Sequence, residues 1–377
     1  MKVLHVTPFF YPATYYGGMV TSGLGLCSAL RRSGLEVRVL TINGNGPGKV
    51  LPIESGREVL TAQDLRITYC RRLIRTSVSL GLLRILPAYM RWADVVHLSA
   101  VYSFPTFPTL LACKGFDRPL VWSPRGALQR WSGSRRCTSK RIWENSCRMI
   151  FPRRLILHST SEDEARESQE RLPGVDCVVI PNGIDVPKLV GHVPSQNKLR
   201  MLYLGRLHQK KGIENLLAAC KLLPENLVPA WDLTIAGEGE PRYVQTIRSV
   251  IDNLGLGKRV TMVGAVVGEA KVRLFEQADI CIVPSFTENF AMVIAESLAA
   301  GVPVIASQGT PWKRLEEVGC GLWVNNDAES LAEAIVRMSR MPLREVGQRG
   351  REWMQKEFSW DMMAGKMVQA YRDLLVS

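Results

Sequence analysis

The sequence predicts an α/β protein of two doubly wound, Rossmann-like domains facing each other across a cleft. Three observations carry that expectation. Short apolar runs rich in Val, Ile and Leu alternate with helix-length amphipathic segments along nearly the whole chain, the pattern of a parallel sheet with helices on both faces. The runs fall into two series, separated by a stretch from Val186-Pro187 to Asn197-Lys198 that holds Pro, Gly, Ser and Gln and little apolar pattern. Several runs end in glycine turns, and open α/β sheets bind ligands at the carboxyl ends of their strands.

The first series of candidate strands is Val3 to Thr7, Val37 to Thr41, Val95 to Leu98, Leu120 to Ser123, Leu155 to His158 and Val178 to Ile180. The second is Met201 to Leu204, Leu233 to Ala236, Val260 to Val263, Ile280 to Val283 and Val302 to Ala306. With 377 residues, 46% hydrophobic and 22% charged, the chain is long enough for two full cores. It has no apolar run of membrane-spanning length, and the apolar segment after Met1-Lys2 is too short for a signal peptide and reads as a first strand. Nine cysteines are scattered singly, which fits a reducing cytoplasm and argues against a disulfide framework or structural zinc.

The formal charge of +13 is unevenly spread. Residues 1–180 hold 25 Lys and Arg against 13 Asp and Glu, a net +12, so the remainder is nearly neutral. Such asymmetry points to an anionic surface or substrate met by the first half: membrane phospholipid, a lipid diphosphate or nucleic acid. Arg71, Arg72, Arg75, Arg84 and Arg91 punctuate one apolar stretch. From 126 to 154, Arg130, Arg135, Arg136, Lys140, Arg141, Arg148, Arg153 and Arg154 interleave with Trp131, Trp143 and Phe151. A helix lying on an anionic bilayer has that composition, and so does a solvated basic helix face. Nucleic acid fits less well, because no nucleic-acid-binding motif accompanies the charge.

Glycines mark the expected rim. Gly17-Gly18 precede a helix beginning near Val20, where backbone N–H groups can approach an anion. Gly23-Leu24-Gly25 mimics a dinucleotide fingerprint, but it lies within the helical pattern and no acidic residue closes a second strand, which argues against a nicotinamide enzyme. In the second series, Leu204-Gly205-Arg206-Leu207-His208-Gln209-Lys210-Lys211-Gly212 puts a cationic loop at a helix start, an anion site that Arg206 and Lys211 could form, unless it is simply a solvated loop. Ile235-Ala236-Gly237-Glu238-Gly239 and Val263-Gly264-Ala265-Val266 add two bare-backbone turns. Most pointed is Pro284 to Ser307, read as a strand end, a turn, an apolar helix stopped by Gly301 and a further strand. Glu288 lies in that turn and Glu296 on a mostly apolar helix, about 12 Å on if the interval is helical. Either the two carboxylates hold opposite ends of one ligand, or they are a capping Glu and a buried Glu with a backbone partner.

Together the Glu288 to Glu296 spacing, the Gly205 to Gly212 loop, Ile180-Pro181-Asn182-Gly183-Ile184-Asp185 and Gly17-Gly18 resemble the retaining glycosyltransferases of family 4, which have the GT-B fold. Ser123-Pro124-Arg125-Gly126 and Gly309-Thr310-Pro311-Trp312 further resemble members that build bacterial surface polysaccharide and lipopolysaccharide. The resemblance implies an acceptor-binding domain at 1–186, a nucleotide-sugar-binding domain at 187–357, and a segment at 358–377 that crosses back as a helix onto the first. It also implies that Arg206 and Lys211 bind the donor diphosphate, that Glu296 binds the ribose, and that Glu288 lies beside the transferred sugar. The backbone of Asn289, Phe290 and Ala291 would hold sugar hydroxyls or phosphate, with Gly18 and Val266 also on the donor side.

Several relatives have a His where this chain has Arg125; an Arg cannot act as a base at neutral pH, so Arg125 is expected to bind acceptor or phosphate, beside Gly17, with His97 a weak substitute for the missing base. No Asp-x-Asp occurs, so no metal cofactor is expected. The partners implied are a nucleotide sugar, a lipid-linked or glycan acceptor and an anionic membrane surface on its cytoplasmic side. A nucleotide-sugar epimerase or a non-catalytic sugar-nucleotide-binding scaffold on the same architecture are the alternatives.

Overall fold

Most strands form where β-branched and aliphatic residues run together, and several helices begin at a glycine (Gly17, Gly212, Gly268) or at a capping side chain (Ser79, Ser161, Asp327). The computed structural model of the protein describes residues 1–61, 64–73, 77–129, 137–187, 198–224 and 230–376. Residues 188–197 of the expected linker, and Arg75, Arg130, Trp131, Arg135 and Arg136, lie outside them. The chain divides into one unit of Met1–Gly183 with Trp360–Ser377 and a second of Ile184–Ser359.

In the first unit the order is β1 (Lys2–Val6), α1 (Gly18–Arg32), β2 (Glu36–Ile42), β3 (Glu58–Leu60), β4 (Arg66–Cys70), α2 (Leu80–Trp92), β5 (Val95–Ser99), α3 (Thr106–Gly115), β6 (Leu120–Ser123), α4 (Cys137–Met149), β7 (Leu155–Ser159), α5 (Glu162–Arg171) and β8 (Cys177–Val179). The second unit runs β9 (Leu199–Leu204), α6 (Ile213–Leu222), β10 (Trp231–Ala236), α7 (Pro241–Asn253), β11 (Val260–Gly264), α8 (Glu269–Gln277), β12 (Ile280–Val283), α9 (Met292–Ala299), β13 (Val304–Ser307), α10 (Arg314–Val318), β14 (Gly321–Val324), α11 (Ala328–Ser339) and α12 (Leu343–Glu357). The last helix, α13 (Trp360–Val376), belongs to the first unit and packs on α1.

The first sheet has the order β3-β4-β2-β1-β5-β6-β7-β8 and is parallel except for β3, which pairs antiparallel with β4. The second, β11-β10-β9-β12-β13-β14, is parallel throughout. Three strands have no counterpart in the sequence expectation. In β3 all three residues are exposed, β4 interrupts its apolar residues with Thr68, and β14 offers only the three apolar residues that follow Gly321.

Each sheet reverses direction of winding at its first strand, β1 between β2 and β5 and β9 between β10 and β12. Both reversals are fastened alike at the amino end. Asp94 accepts the Lys2 N–H at 2.8 Å while its own N–H goes to the Lys2 carbonyl at 2.9 Å. Asp279 accepts the Arg200 N–H at 2.7 Å and the Arg200 guanidinium at 2.8 and 3.0 Å, and its N–H goes to the Arg200 carbonyl at 2.8 Å. Ligand sites in such sheets lie at the opposite, carboxyl end of the reversal point.

The expectation of two helical turns between the entrance at Glu288 and Glu296 needs correction. Helix α9 starts only at Met292, and its N-cap residue Ala291 is left-handed (φ 60°, ψ 69°), so the first half of the interval is loop. The axial separation expected of one unbroken helix therefore does not apply.

Candidate active site

In the second unit, the loops after β9 and β12 meet at the reversal point. Gly212, left-handed at φ 63°, caps α6, and a Cβ there would overlap the carbonyl oxygen of Pro284 at the end of β12. The loops are also tied by Phe286 N–H to Lys210 O at 2.8 Å, and Glu288 N–H is held by Gly309 O at 2.8 Å. This backbone lattice places Lys211 against Glu288: the ammonium donates to Oε1, which also accepts from Ser285 Oγ at 2.8 Å. Both side chains are largely buried, 17% and 7% exposed.

Burial is the largest influence on the Glu288 carboxyl and pushes it up, but the charges of Lys211 and Lys210 and the two hydrogen bonds outweigh it. The group lies below its ordinary 4.5 and is ionised at neutral pH. Burial pulls the Lys210 ammonium below its usual range, with Glu288 opposing. Arg206 is exposed on the same loop, and its carbonyl accepts from the Tyr203 hydroxyl at 3.1 Å; among the described residues it makes no ion pair.

Past Glu288, the turn into α9 is clamped from one side. The Phe290 carbonyl accepts the Trp312 indole N–H, and the Phe290 ring packs on Trp312 with centroids 5.2 Å apart. That packing holds Ala291 in a conformation costing a non-glycine residue roughly 1–2 kcal/mol. The first N–H groups of α9, as at any helix start, have no carbonyl of a preceding turn to bond. Glu296, one turn further along α9, is paired with Lys271 of α8 at 2.6 Å. The half-buried Val266 lies on the loop between β11 and α8.

In the first unit, Gly17 caps α1 and Gly18 opens it. A cavity of about 290 Å³ at the carboxyl edge of the sheet is lined by Pro8, Phe9 and Tyr16 after β1, Arg72 after β4, and Ala100 and Tyr102 after β5, among others. Behind this edge runs a chain of hydrogen bonds: Tyr371 hydroxyl to His97 Nδ1 (2.6 Å), His97 Nε2 to Ser123 Oγ (2.7 Å), Ser123 Oγ to His158 Nδ1 (2.7 Å), and His158 Nε2 to the Ile180 carbonyl (2.9 Å). The carbonyl can only accept, so His158 Nε2 carries a proton, and the remaining donors follow in turn back to Tyr371. Burial lowers the basicity of both imidazoles, that of His158 to about 3, so each is neutral as the chain requires. Beyond Ser123, Arg125 is left-handed at φ 56° and donates from Nη1 to Asn182 Oδ1 at 2.9 Å.

With this geometry in place, comparison with known proteins is decisive. The sequence model for glycosyl transferases group 1 matches residues 190–353, and that for Glycosyltransferase Family 4 matches residues 16–188. The chain belongs to the family 4 glycosyltransferases. Along its full length it is 28% identical to the GDP-mannose:cellobiosyl-diphosphopolyprenol alpha-mannosyltransferase of Xanthomonas oryzae pv. oryzae, covering 97% of that protein. It is 27% identical to the D-inositol 3-phosphate glycosyltransferase of Xylanimonas cellulosilytica, over 98% of this chain and 95% of that one. Its fold matches the sucrose-phosphate synthase of Thermosynechococcus elongatus with a TM-score of 0.79 at 22% identity, covering 100% of both chains. It also matches the HepE protein of Anabaena in complex with UDP and glucose, with a TM-score of 0.77 at 19% identity over 99% of this chain and 100% of that one. The architecture is GT-B.

Within this glycosyltransferase the structure brings Lys211 and Glu288 together and gives Glu296 a side-chain partner. It withdraws His97 as a substitute base: the ring is fully buried and both nitrogens are already engaged. It also corrects the surface aromatics. Trp143 donates to the Val101 carbonyl at 3.0 Å and meets Phe107 edge-on, and Phe151 packs on Trp122, so each is half-buried against the first unit rather than freely exposed. The sequence reading missed Lys271 and the role of Ser285. Ser285 sits inside the motif already singled out, while Lys271 belongs to the preceding helix and carries no local signal.

Proposed function

We propose that the protein transfers a hexose from a nucleoside diphosphate sugar to a lipid-linked or other glycan acceptor, with retention of anomeric configuration and without a metal ion. The observation that carries this is the Lys211–Glu288 pair at the reversal point of the second sheet, where a cation and an ionised carboxylate stand side by side. Breaking the bond from anomeric carbon to phosphate puts negative charge on the leaving diphosphate and positive charge on the sugar ring. Arg206, Lys211 and the start of α6 suit the first; ionised Glu288 suits the second, and being ionised it is no proton donor. The departing phosphate oxygen takes the proton of the acceptor hydroxyl as the hydroxyl oxygen bonds the anomeric carbon from the same face. Glu296 would hold the ribose hydroxyls in exchange for Lys271, with Val266 and the backbone of Asn289 to Ala291 completing the donor site.

Support for the acceptor class comes from the relatives, whose names specify a diphosphopolyprenol-linked glycan and an inositol phosphate, and from the basic charge concentrated in the first half of the sequence. The cavity beside Phe9, Tyr16 and Tyr102 offers aromatic faces for a sugar ring. Among the described residues no helix is long and apolar enough to cross a membrane, so contact with a lipid-linked acceptor would be peripheral.

The test is incubation with labelled UDP-, GDP- and ADP-sugars and a lipid extract. Label should move into lipid or glycan, and Glu288→Ala should lower kcat roughly a hundredfold or more while nucleotide binding persists. Full activity in that variant would remove Glu288 from the chemistry, and altered free nucleotide sugar without transfer would favour an epimerase.

A further inference from the structure

The guanidinium of Arg125 is hydrogen-bonded at one end and unpaired at the other. Nη1 donates to Asn182, while Nε and Nη2 are out of contact with solvent and have no hydrogen-bond partner. Those two nitrogens are the side-on edge of the group, whose parallel N–H bonds match the two oxygens of a carboxylate or phosphate. A buried cation with two unused donors is unfavourable unless a ligand supplies the acceptors.

The surrounding protein balances the charge without supplying that edge an acceptor. Glu164, fully buried, is the nearest opposing charge, but its oxygens accept the Gly126 N–H, the Thr160 N–H at 2.8 Å and the Thr160 hydroxyl at 2.7 Å. The placement is also fixed in advance. Ser123, just before Arg125, and Ile180, just before Asn182, are both bonded to His158, so one imidazole registers the two segments that carry the guanidinium and its anchor. The backbone at Arg125 is held left-handed, a conformation that costs a non-glycine residue free energy. Ala127, on the same loop, lines the cavity at the carboxyl edge of the sheet.

We propose that Arg125 is the oxyanion receptor of the first unit, its side-on edge taking a phosphate or carboxylate carried by a substrate, with Asn182 as its positioning residue. This rests on the transferase reading, and two sources have the same chemistry: the donor diphosphate and an anionic group of the acceptor.

Titration calorimetry of the full-length protein with inorganic pyrophosphate tests it in a form independent of turnover. Binding should persist in Arg206→Ala/Lys211→Ala. Adding Arg125→Lys, which keeps the charge but cannot present two parallel donors, should then weaken it by about tenfold or more. Asn182→Ala should weaken it less, and thermal melting of each variant checks the fold, so the lysine variant decides if Arg125→Ala fails to fold. Displacement of the Arg125-dependent pyrophosphate by saturating UDP, GDP or ADP assigns the oxyanion to the donor; simultaneous binding assigns it to the acceptor. Pyrophosphate binding that Arg125→Lys leaves unchanged, or that vanishes wholly with Arg206 and Lys211, overturns the proposal. A transfer panel with no turnover but intact Arg125-dependent binding would instead sink the transferase reading.

Discussion

At Glu288, burial and two lysines pull the carboxyl in opposite directions, and the lysines win. Its folded value lies below the unfolded one, so its contribution to stability is fully present above the ordinary carboxylate range and is lost as pH falls through the folded value. Replacing Lys211 by Met leaves burial opposed mainly by Lys210 and should reverse the shift. Breaking such a largely buried pair costs about 3–5 kcal/mol at neutral pH. Melting temperatures of the wild type and Lys211→Met should therefore differ most near neutrality and converge as the carboxylate is protonated; a gap constant across the acid range would mean the pair is not coupled. At this scale Glu288 was legible as the turn end of the Glu288 to Glu296 spacing. Its ionisation state was not, since Lys211 belongs to a distant loop and only the joining of two strand ends makes them neighbours.

Helices α1 and α13 approach through a glycine. The Trp360 ring that opens α13 occupies the space where a Cβ of Gly25 would lie, and it crowds Gly183 in the same way. Gly25→Ala sets two effects against each other: Ala in a helix interior is better by about 1 kcal/mol, whereas overlap with a packed indole costs typically about 1–3 kcal/mol. Trp360 is only 6% exposed and packed in the core, so it has little room to yield and the clash should win. The melting temperature should fall, and a rise would show that α13 can shift without loss. Read alone, Gly23-Leu24-Gly25 has only the appearance of a phosphate-binding fingerprint; what Gly25 serves is a contact with a helix at the opposite end of the chain. The same limit hid the paired fastenings by Asp94 and Asp279. Each aspartate immediately precedes a strand, and nothing local says that its partner is the start of another. Strand positions, by contrast, were legible where several aliphatic residues run together; β4 is as buried as its neighbours but reads Arg-Ile-Thr-Tyr-Cys, β3 is exposed throughout, and β14 is only three apolar residues long after its glycine.

At the scale of the whole molecule, the basic charge is concentrated in the first half of the sequence. The net +12 of residues 1–180 is general, but α4 concentrates it on a face with exposed Arg141 and Arg148 and two exposed apolar side chains, Ile142 at 63% and Met149 at 79%. With the Trp143 indole tied to the Val101 carbonyl, that is the face expected to meet an anionic bilayer if the protein binds one. Each basic residue near such a surface contributes about 1 kcal/mol, and the screening length shrinks from about 10 Å at 0.1 M salt to about 3 Å at 1 M. Flotation with anionic vesicles should therefore succeed at low salt and weaken steeply as salt rises. Arg141→Glu/Arg148→Glu, reversing two charges at exposed positions, should weaken it by more than about tenfold without lowering the melting temperature. If the reversal changed nothing while salt still released the protein, the attraction would belong to other basic side chains of the first unit. If neither salt nor reversal mattered, Ile142 and Met149 would be its source, tested by their replacement with Ser.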